Sequence, residues 1–116
     1  MQNELYHYRA KVISVYDGDT LTAAIDLGFK VQFTEKVRLF GINAPEMRGS
    51  ERPAGILSRD RLRELVLGKE ILLKTIRDKK GKYGRYLGVI FMEQEGKYVN
   101  INELLVHEGL AEKHDY

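Results

Sequence analysis

The sequence predicts a small β-barrel with helices, an α+β fold whose elements follow the order β-β-β-α-β-β-α. Two observations lead to this prediction. Strand-like runs separated by short glycine-containing turns come first, and a proline then introduces a helical segment. Two further strand-like runs precede a short second helix. With 116 residues the chain is long enough for one modest core, so we expect one domain over residues 1–116.

The first three predicted strands form a meander. In the first strand, YRAKVISVYDGD, Ala10 and Val12 point one way. Ile13 and Val15 add apolar β-branched bulk. The Asp-Gly dipeptide that ends this strand is a strong hairpin signal. The next two strands are TLTAAIDLG, interrupted at Gly28, and KVQFTEKVRLFGI.

Pro53 marks the start of the predicted helix, because proline has no N–H to donate and its φ suits the first helical turn. Gly68 is a suitable C-terminal cap. The apolar positions between them form a broad face: Leu57, Leu62, Leu65 and Val66.

The remaining segments predict two strands, KEILLKTIR and RYLGVIFME, joined by the loop DKKGKYG. EQEGKYV predicts a small hairpin that leads to a second helix. Asn100 is expected to cap that helix, with Glu103 reaching back to it. Gly109 then ends the helix, and Leu110 folds over it.

Five short strands with a helix inserted between the third and the fourth suit a small closed barrel. The five-stranded OB-fold has this layout and binds oligonucleotides on one face. Other small α+β arrangements share the strand count and the helix position, so these two features leave them open.

Composition excludes several classes of protein. The chain has no cysteine, which removes disulfides, thiolate metal sites and thiol nucleophiles. No apolar run approaches the roughly 20 residues that span a bilayer. The first residues lack the features of a secretory signal, so we expect a cytoplasmic protein, or a secreted one if a signal has been removed.

Charged residues are unevenly distributed although the net charge is only +2. One basic stretch contains Arg48, Arg52, Arg59, Arg61 and Arg63, and a second contains Lys74, Arg77, Lys79, Lys80, Lys82 and Arg85. Cations placed in this way could hold a polyanion. A solvated loop and a charged helix face would give the same pattern.

Charged side chains also stand near the ends of predicted strands. Asp17 is explained by its turn, whereas Asp19 begins a strand, where aspartate is disfavoured. Arg38 lies among apolar neighbours, so its expected anionic partner is either an internal carboxylate or a phosphate. Arg85 is flanked by tyrosines, a combination that could grip phosphate beside a stacked base. The three histidines have no metal-ligand spacing, which argues against zinc.

Three motifs occur in a characteristic order: DGDT at residues 17–20, RLFGINAPE at 38–46 and KYGRYLG at 82–88. Together they resemble the staphylococcal (micrococcal) nuclease family, and VNINELLVHEGLA at 99–111 extends the similarity. The resemblance implies an OB-fold barrel that cleaves DNA and RNA phosphodiesters with Ca²⁺ and leaves a 3′-phosphate.

The resemblance also implies roles for individual residues. Arg38 and Arg85 would hold the phosphate, and Glu46 would be the general base toward the attacking water. Lys82 and Tyr83 would contact the nucleotide. The implied partner is single-stranded DNA or RNA, bound by a monomer with no membrane involved.

The implied metal site departs from the family pattern. Asp19 matches a calcium-binding aspartate, with Asp17 supporting it indirectly, but Asn43 stands where the family has a second aspartate. Ala44 would contribute its backbone carbonyl. An amide oxygen still suits Ca²⁺, yet a full negative charge is lost, so we expect weakened binding of the metal.

The chain also lacks the third helix that longer family members carry after the position of Leu110. Two alternatives to a nuclease stay open. The domain could bind nucleic acid or protein without cutting, which Asn43 favours. Alternatively, the arginines and acids could form a structural salt-bridge cluster only.

Overall fold

The structure, a computed structural model, describes residues 6–80 and 85–114, with the backbone alone described for residues 77–80. Five strands form a closed barrel: β1 (His7–Asp17), β2 (Thr20–Asp26), β3 (Gln32–Leu39), β5 (Glu70–Lys80) and β6 (Tyr86–Gln94). They lie in the order β3-β2-β1-β5-β6, and a parallel pairing of β3 with β6 closes the barrel. The predicted five-stranded OB-fold is thereby confirmed.

Two helices flank the barrel, α1 (Arg52–Val66) and α2 (Ile101–His107), which confirms the predicted order of the main elements. Three short strands add to them: β4 (Ile42–Asn43), β7 (Lys97–Asn100) and β8 (Glu112–Lys113). β7 pairs with β6 in the predicted hairpin, and β8 pairs with β4. In the part of the chain that is described, α2 is therefore followed by a strand, and the third helix of longer family members does not occur.

Two β-bulges shape β1. Its register on β2 shifts between Val12 and Ser14 and again between Val15 and Asp17, so that Ile13 and Tyr16 are extra residues. Each bulge resets the alternation of side chains. Val15 therefore joins Val12 inside the barrel, while Ile13 and Tyr16 are exposed.

The core fills the barrel and the surfaces under both helices. From α1 it receives Leu62, Leu65 and Val66, as expected from the apolar spacing. The prediction was wrong for Leu57, which is 65% exposed, because the upper part of α1 packs through the small residues Gly55 and Ser58.

The end of the chain follows the predicted capping pattern. Asn100 Oδ1 accepts the Glu103 N–H at 3.0 Å, and Asn100 Nδ2 donates to the Glu103 carboxylate at 3.4 Å. Gly109, at φ +76°, ends α2, and the Leu110 N–H donates to the Leu105 carbonyl at 2.9 Å.

The predicted loop at residues 78–84 is shorter than expected, since β5 continues to Lys80. The rest of that loop, including Lys82 and Tyr83, lies outside the described residues. Among the helices described, none is long and apolar enough to span a bilayer.

Candidate active site

A cleft of about 1430 Å³ opens beside the ends of β1, β2 and β3. The segment after β4 and the first half of α1 form its other walls. We call it the arginine cleft and define it by five of its lining residues: Asp19, Arg38, Asn43, Glu46 and Arg85. The fold thus brings together residues that the sequence analysis selected from three separate motifs.

Asp19 is the most buried of these residues, at 7% exposure. Its Oδ2 accepts the Ala44 N–H at 2.7 Å and lies 3.2 Å from Arg38 Nη1. Its Oδ1 accepts the Thr20 hydroxyl at 3.2 Å. The carboxylate therefore joins the start of β2 to the segment after β4 and neutralises the arginine between them.

Arg38 is held on several sides. Nη1 donates to the carbonyls of Leu39 at 3.1 Å and Ile42 at 2.9 Å, and Nη2 donates to Asn43 Oδ1. These bonds fix the plane of the guanidinium near the mouth of the cleft. A fixed, half-buried cation attracts an anion strongly, because little solvent screens it and no reorganisation is needed.

Arg85 reaches the same cleft because the barrel closes there. The parallel pairing of Arg38 with Leu87 brings the start of β6 beside the end of β3. Arg85 Nη1 donates to Thr20 Oγ1 at 3.3 Å, and Thr20 in turn donates to Asp19. The two arginines, remote in sequence, are thus connected through Thr20 and Asp19.

Glu46 is exposed on the rim of the cleft. Its backbone N–H donates to Glu51 Oε1 at 2.9 Å, while its carboxylate forms no hydrogen bond or ion pair within the described residues. Gly55 of α1 packs against the backbone here. A Cβ at Gly55 would lie 2.9 Å from the Glu46 carbonyl carbon and 3.1 Å from the Pro45 oxygen, so only glycine permits this approach.

Asp17 supports Asp19 through the turn between β1 and β2. Its Oδ1 accepts the Asp19 N–H at 3.0 Å, the turn bond that the sequence predicts. Burial, followed by the neighbouring Asp19 carboxyl, raises the pKa of Asp17 from 3.8 to about 6.

The structure adds His114, which the sequence analysis did not select. Pairing of β8 with β4 places His114 beside Asn43, and the Asn43 amide donates to His114 Nδ1 across 3.1 Å. This bond directs Asn43 Oδ1 toward Arg38. No local signal marks His114, because only the pairing of two short strands, distant in sequence, brings it there.

The arginines of α1 also contribute to the cleft wall, through Arg52, Arg59 and Arg63. The first basic stretch in the sequence indicated a cationic surface here, but it did not indicate which of its arginines face the cleft. Arg61 points elsewhere and forms an ion pair with Glu108 at 2.9 Å.

The oxygens available for a cation are those of Asp19, Asn43 and the Ala44 carbonyl. All are oxygen ligands, which Ca²⁺ prefers, and the Asp19 and Asn43 oxygens are both engaged by the Arg38 guanidinium. A carboxylate accepts about four hydrogen bonds, and Asp19 already makes three polar contacts. Within the described ranges no three His, Cys, Asp or Glu side chains form a metal-binding group. The donor atoms present are of the type that Ca²⁺ prefers.

The fold and the site define this chain as a closed OB-type barrel that brings two linked arginines, a buried aspartate and a rim glutamate together in one cleft. Comparison with known proteins gives the family. The profile described as staphylococcal nuclease homologue matches residues 36–116, and the chain belongs to that family.

A curated relative is an uncharacterized protein of Methanocaldococcus jannaschii. It is 31% identical over an alignment 126 positions long, which covers 90% of this chain and 58% of the relative. The chain thus spans little more than half the length of the curated relative it matches.

Proposed function

We propose that residues 1–116 act as one staphylococcal nuclease-like domain that hydrolyses phosphodiester bonds of single-stranded DNA or RNA in the presence of Ca²⁺. The observation that carries this proposal is the linkage of Arg38 and Arg85 through Thr20 and Asp19. Two oriented guanidinium groups in one cleft can bind the non-bridging oxygens of one phosphate.

In this proposal, water attacks phosphorus, the bond to the 5′ oxygen breaks, and that oxygen takes a proton from solvent, which leaves a 3′-phosphate and a 5′-hydroxyl. Glu46 accepts a proton from the attacking water, a role that its exposed and unengaged carboxylate allows. Arg38 and Arg85 stabilise the charge that develops on the phosphate oxygens, where loss of one such donor typically costs about 10²- to 10³-fold in rate.

Asp19, Asn43 and the Ala44 carbonyl would hold the Ca²⁺. When bound, the metal supplies further positive charge beside the phosphate and helps to orient water. Lys82 and Tyr83, which lie outside the described residues, are proposed to contact the nucleotide, in line with the resemblance. We expect the active form to be a monomer.

Cleavage of labelled single-stranded DNA and RNA over a range of millimolar Ca²⁺ tests the proposal. We expect cleavage by the wild type, none with EDTA, and losses of about 10²-fold or more for Arg85→Ala. Glu46→Gln keeps the size of the side chain and should also be inactive. Cleavage that is unchanged in both variants would refute the assignment of these residues.

The single formal charge of the proposed metal ligands favours a second candidate, a module that binds nucleic acid without cutting it. It predicts retention of single-stranded oligonucleotides with no cleavage at any Ca²⁺ concentration. Arg38→Ala should then reduce retention.

A further inference from the structure

We propose that Tyr16 is a base-stacking residue of the arginine cleft and gives the site a preference for unpaired nucleobases. The inference rests on the proposed function and adds a binding contact that the resemblance does not assign. It begins from the second bulge of β1, where Val15 pairs with Leu21 and Asp17 with Thr20. Tyr16 is the extra residue of that bulge.

Tyr16 faces outward at this bulge. Val15 before it is 3% exposed and belongs to the core, whereas Tyr16 is 72% exposed and lines the arginine cleft. Bulges are over-represented next to active sites. In a regular strand, residue 16 would also face away from Val15, but it would itself pair with Thr20. The bulge instead brings Asp17 into register with Thr20 and leaves Tyr16 unpaired in the ladder between β1 and β2.

Arg63 of α1 keeps the bulge in place. Its Nη2 and Nε donate to the Val15 carbonyl at 3.0 and 3.3 Å, so a side chain takes up the oxygen next to the disrupted ladder. The backbone that carries Tyr16 is thus fixed from a second element. A backbone held in this way limits the freedom that is lost when the Tyr16 ring stacks on a base.

The phosphate site lies within reach of the ring. Asp17 on β1 pairs with Thr20 on β2, and Thr20 pairs with Arg38 on β3. Tyr16 is the chain neighbour of Asp17, so it lies at one end of this row of paired residues and Arg38 lies at the other. Two strand spacings separate Asp17 from Arg38, or about 10 Å. One nucleotide covers this scale, with its phosphate at the arginines and its base toward Tyr16.

The surroundings favour a nucleobase over a protein or a lipid surface. Among the described residues, six cations and five acids line the same cleft, and among the cations Arg38 and Arg85 offer guanidinium groups that suit a phosphate next to a stackable base. Exposed aromatic residues are common on surfaces, so the comparison must include one outside the cleft. Tyr98 on β7 is 62% exposed, does not line the cleft, and serves as that control.

Fluorescence anisotropy with a short labelled single strand in Ca²⁺, in a Glu46→Gln background that prevents cutting, tests the inference. Tyr16→Ala should weaken binding about tenfold, whereas Tyr16→Phe and Tyr98→Ala should bind as the parent does. With an abasic strand of the same length, Tyr16→Ala should make little difference. The parent should also prefer the single strand to a duplex, and Tyr16→Ala should reduce that preference.

Equal affinity of Tyr16→Ala and the parent, or an equal loss on the abasic strand, would overturn the stacking role and leave the proposed nuclease untouched. Failure of the parent to bind any nucleic acid would overturn both. Thermal unfolding of Tyr16→Ala should match that of the parent, because the ring is largely in solvent, and a lowered Tm would mean that the ring supports the fold instead.

Discussion

Asn43 links Arg38 of the cleft to His114, because it accepts from Arg38 and donates to His114. Asn43→Asp should raise the affinity for Ca²⁺ about tenfold or more, since the introduced carboxylate adds a negative charge where Asp19 is the only one among the proposed ligands. Isothermal titration with CaCl₂ measures the change.

Asn43→Ala is the matched control and should bind Ca²⁺ more weakly than the wild type, because a ligand oxygen is removed. If all three proteins bind Ca²⁺ equally, position 43 is not a metal ligand.

Asp17 gives the domain a dependence of stability on pH. Its pKa is raised from 3.8 to about 6 in the folded state, so the folded protein holds a proton that the unfolded chain releases between these values. Stability is then lost as pH rises from about 4 to 6. Asp17→Asn keeps an acceptor for the Asp19 N–H and should remove this loss.

Between pH 4 and pH 7, the unfolding free energy of the wild type should fall by on the order of 2 kcal/mol more than that of Asp17→Asn. Urea unfolding in EDTA at the two pH values provides the measurement. If the unfolding free energies of the two proteins differ by the same amount at pH 4 and at pH 7, Asp17 titrates normally.

At the scale of elements, α1 positions Glu46 through the close approach of Gly55. Gly55→Ala should force the helix and the Pro45–Glu46 backbone apart and cost about 1 to 3 kcal/mol, more than the gain of about 1 kcal/mol in helix propensity. Nuclease activity should fall with it, because Glu46 moves.

Leu57→Ala, on an exposed position of the same helix, is the control and should change neither Tm nor the cleavage rate appreciably. A Gly55→Ala variant with raised Tm and full activity would mean that the close packing does not position Glu46.

The β1 strand shows where the pattern of a sequence stops predicting its structure. Alternation correctly placed Ala10 and Val12 on one face. It could not predict that Val15 joins them and that Ile13 does not, because a bulge is decided by the register on the neighbouring strand. Leu57 fails for a related reason, since the helix packs through small residues that no apolar count selects.

At the scale of the whole molecule, Asn102 joins three elements near the barrel closure. This buried side chain accepts the Ile90 N–H at 3.1 Å and donates to the carbonyls of Phe40 at 2.9 Å and Gly88 at 3.1 Å. Asn102→Ala should lower the unfolding free energy by about 3 kcal/mol, because buried backbone groups lose their partners.

The control Asn100→Ala removes only the exposed cap of α2 and should cost about 1 kcal/mol. Urea unfolding of both variants gives the comparison. Equal losses would show that Asn102 adds nothing beyond local helix capping.

The sequence was sufficient to predict the barrel, the helices and the motif residues that line the cleft. Motif order identified Asp19, Arg38, Glu46 and Arg85 through their family, not through local physics. His114 and Asn102 could not be found in that way, because their contacts arise from pairings that form only when distant segments meet.

The pairing of β8 with β4 has a practical consequence for handling the protein. A tag joined after Tyr116 would be separated by two residues from His114, which contacts Asn43. A polyhistidine tag there would bring imidazoles near the proposed metal ligands and distort every metal titration. His7, at the start of β1, lies about 30 Å from Asp17 at the other end of the same strand. A purification tag therefore belongs at the N-terminus.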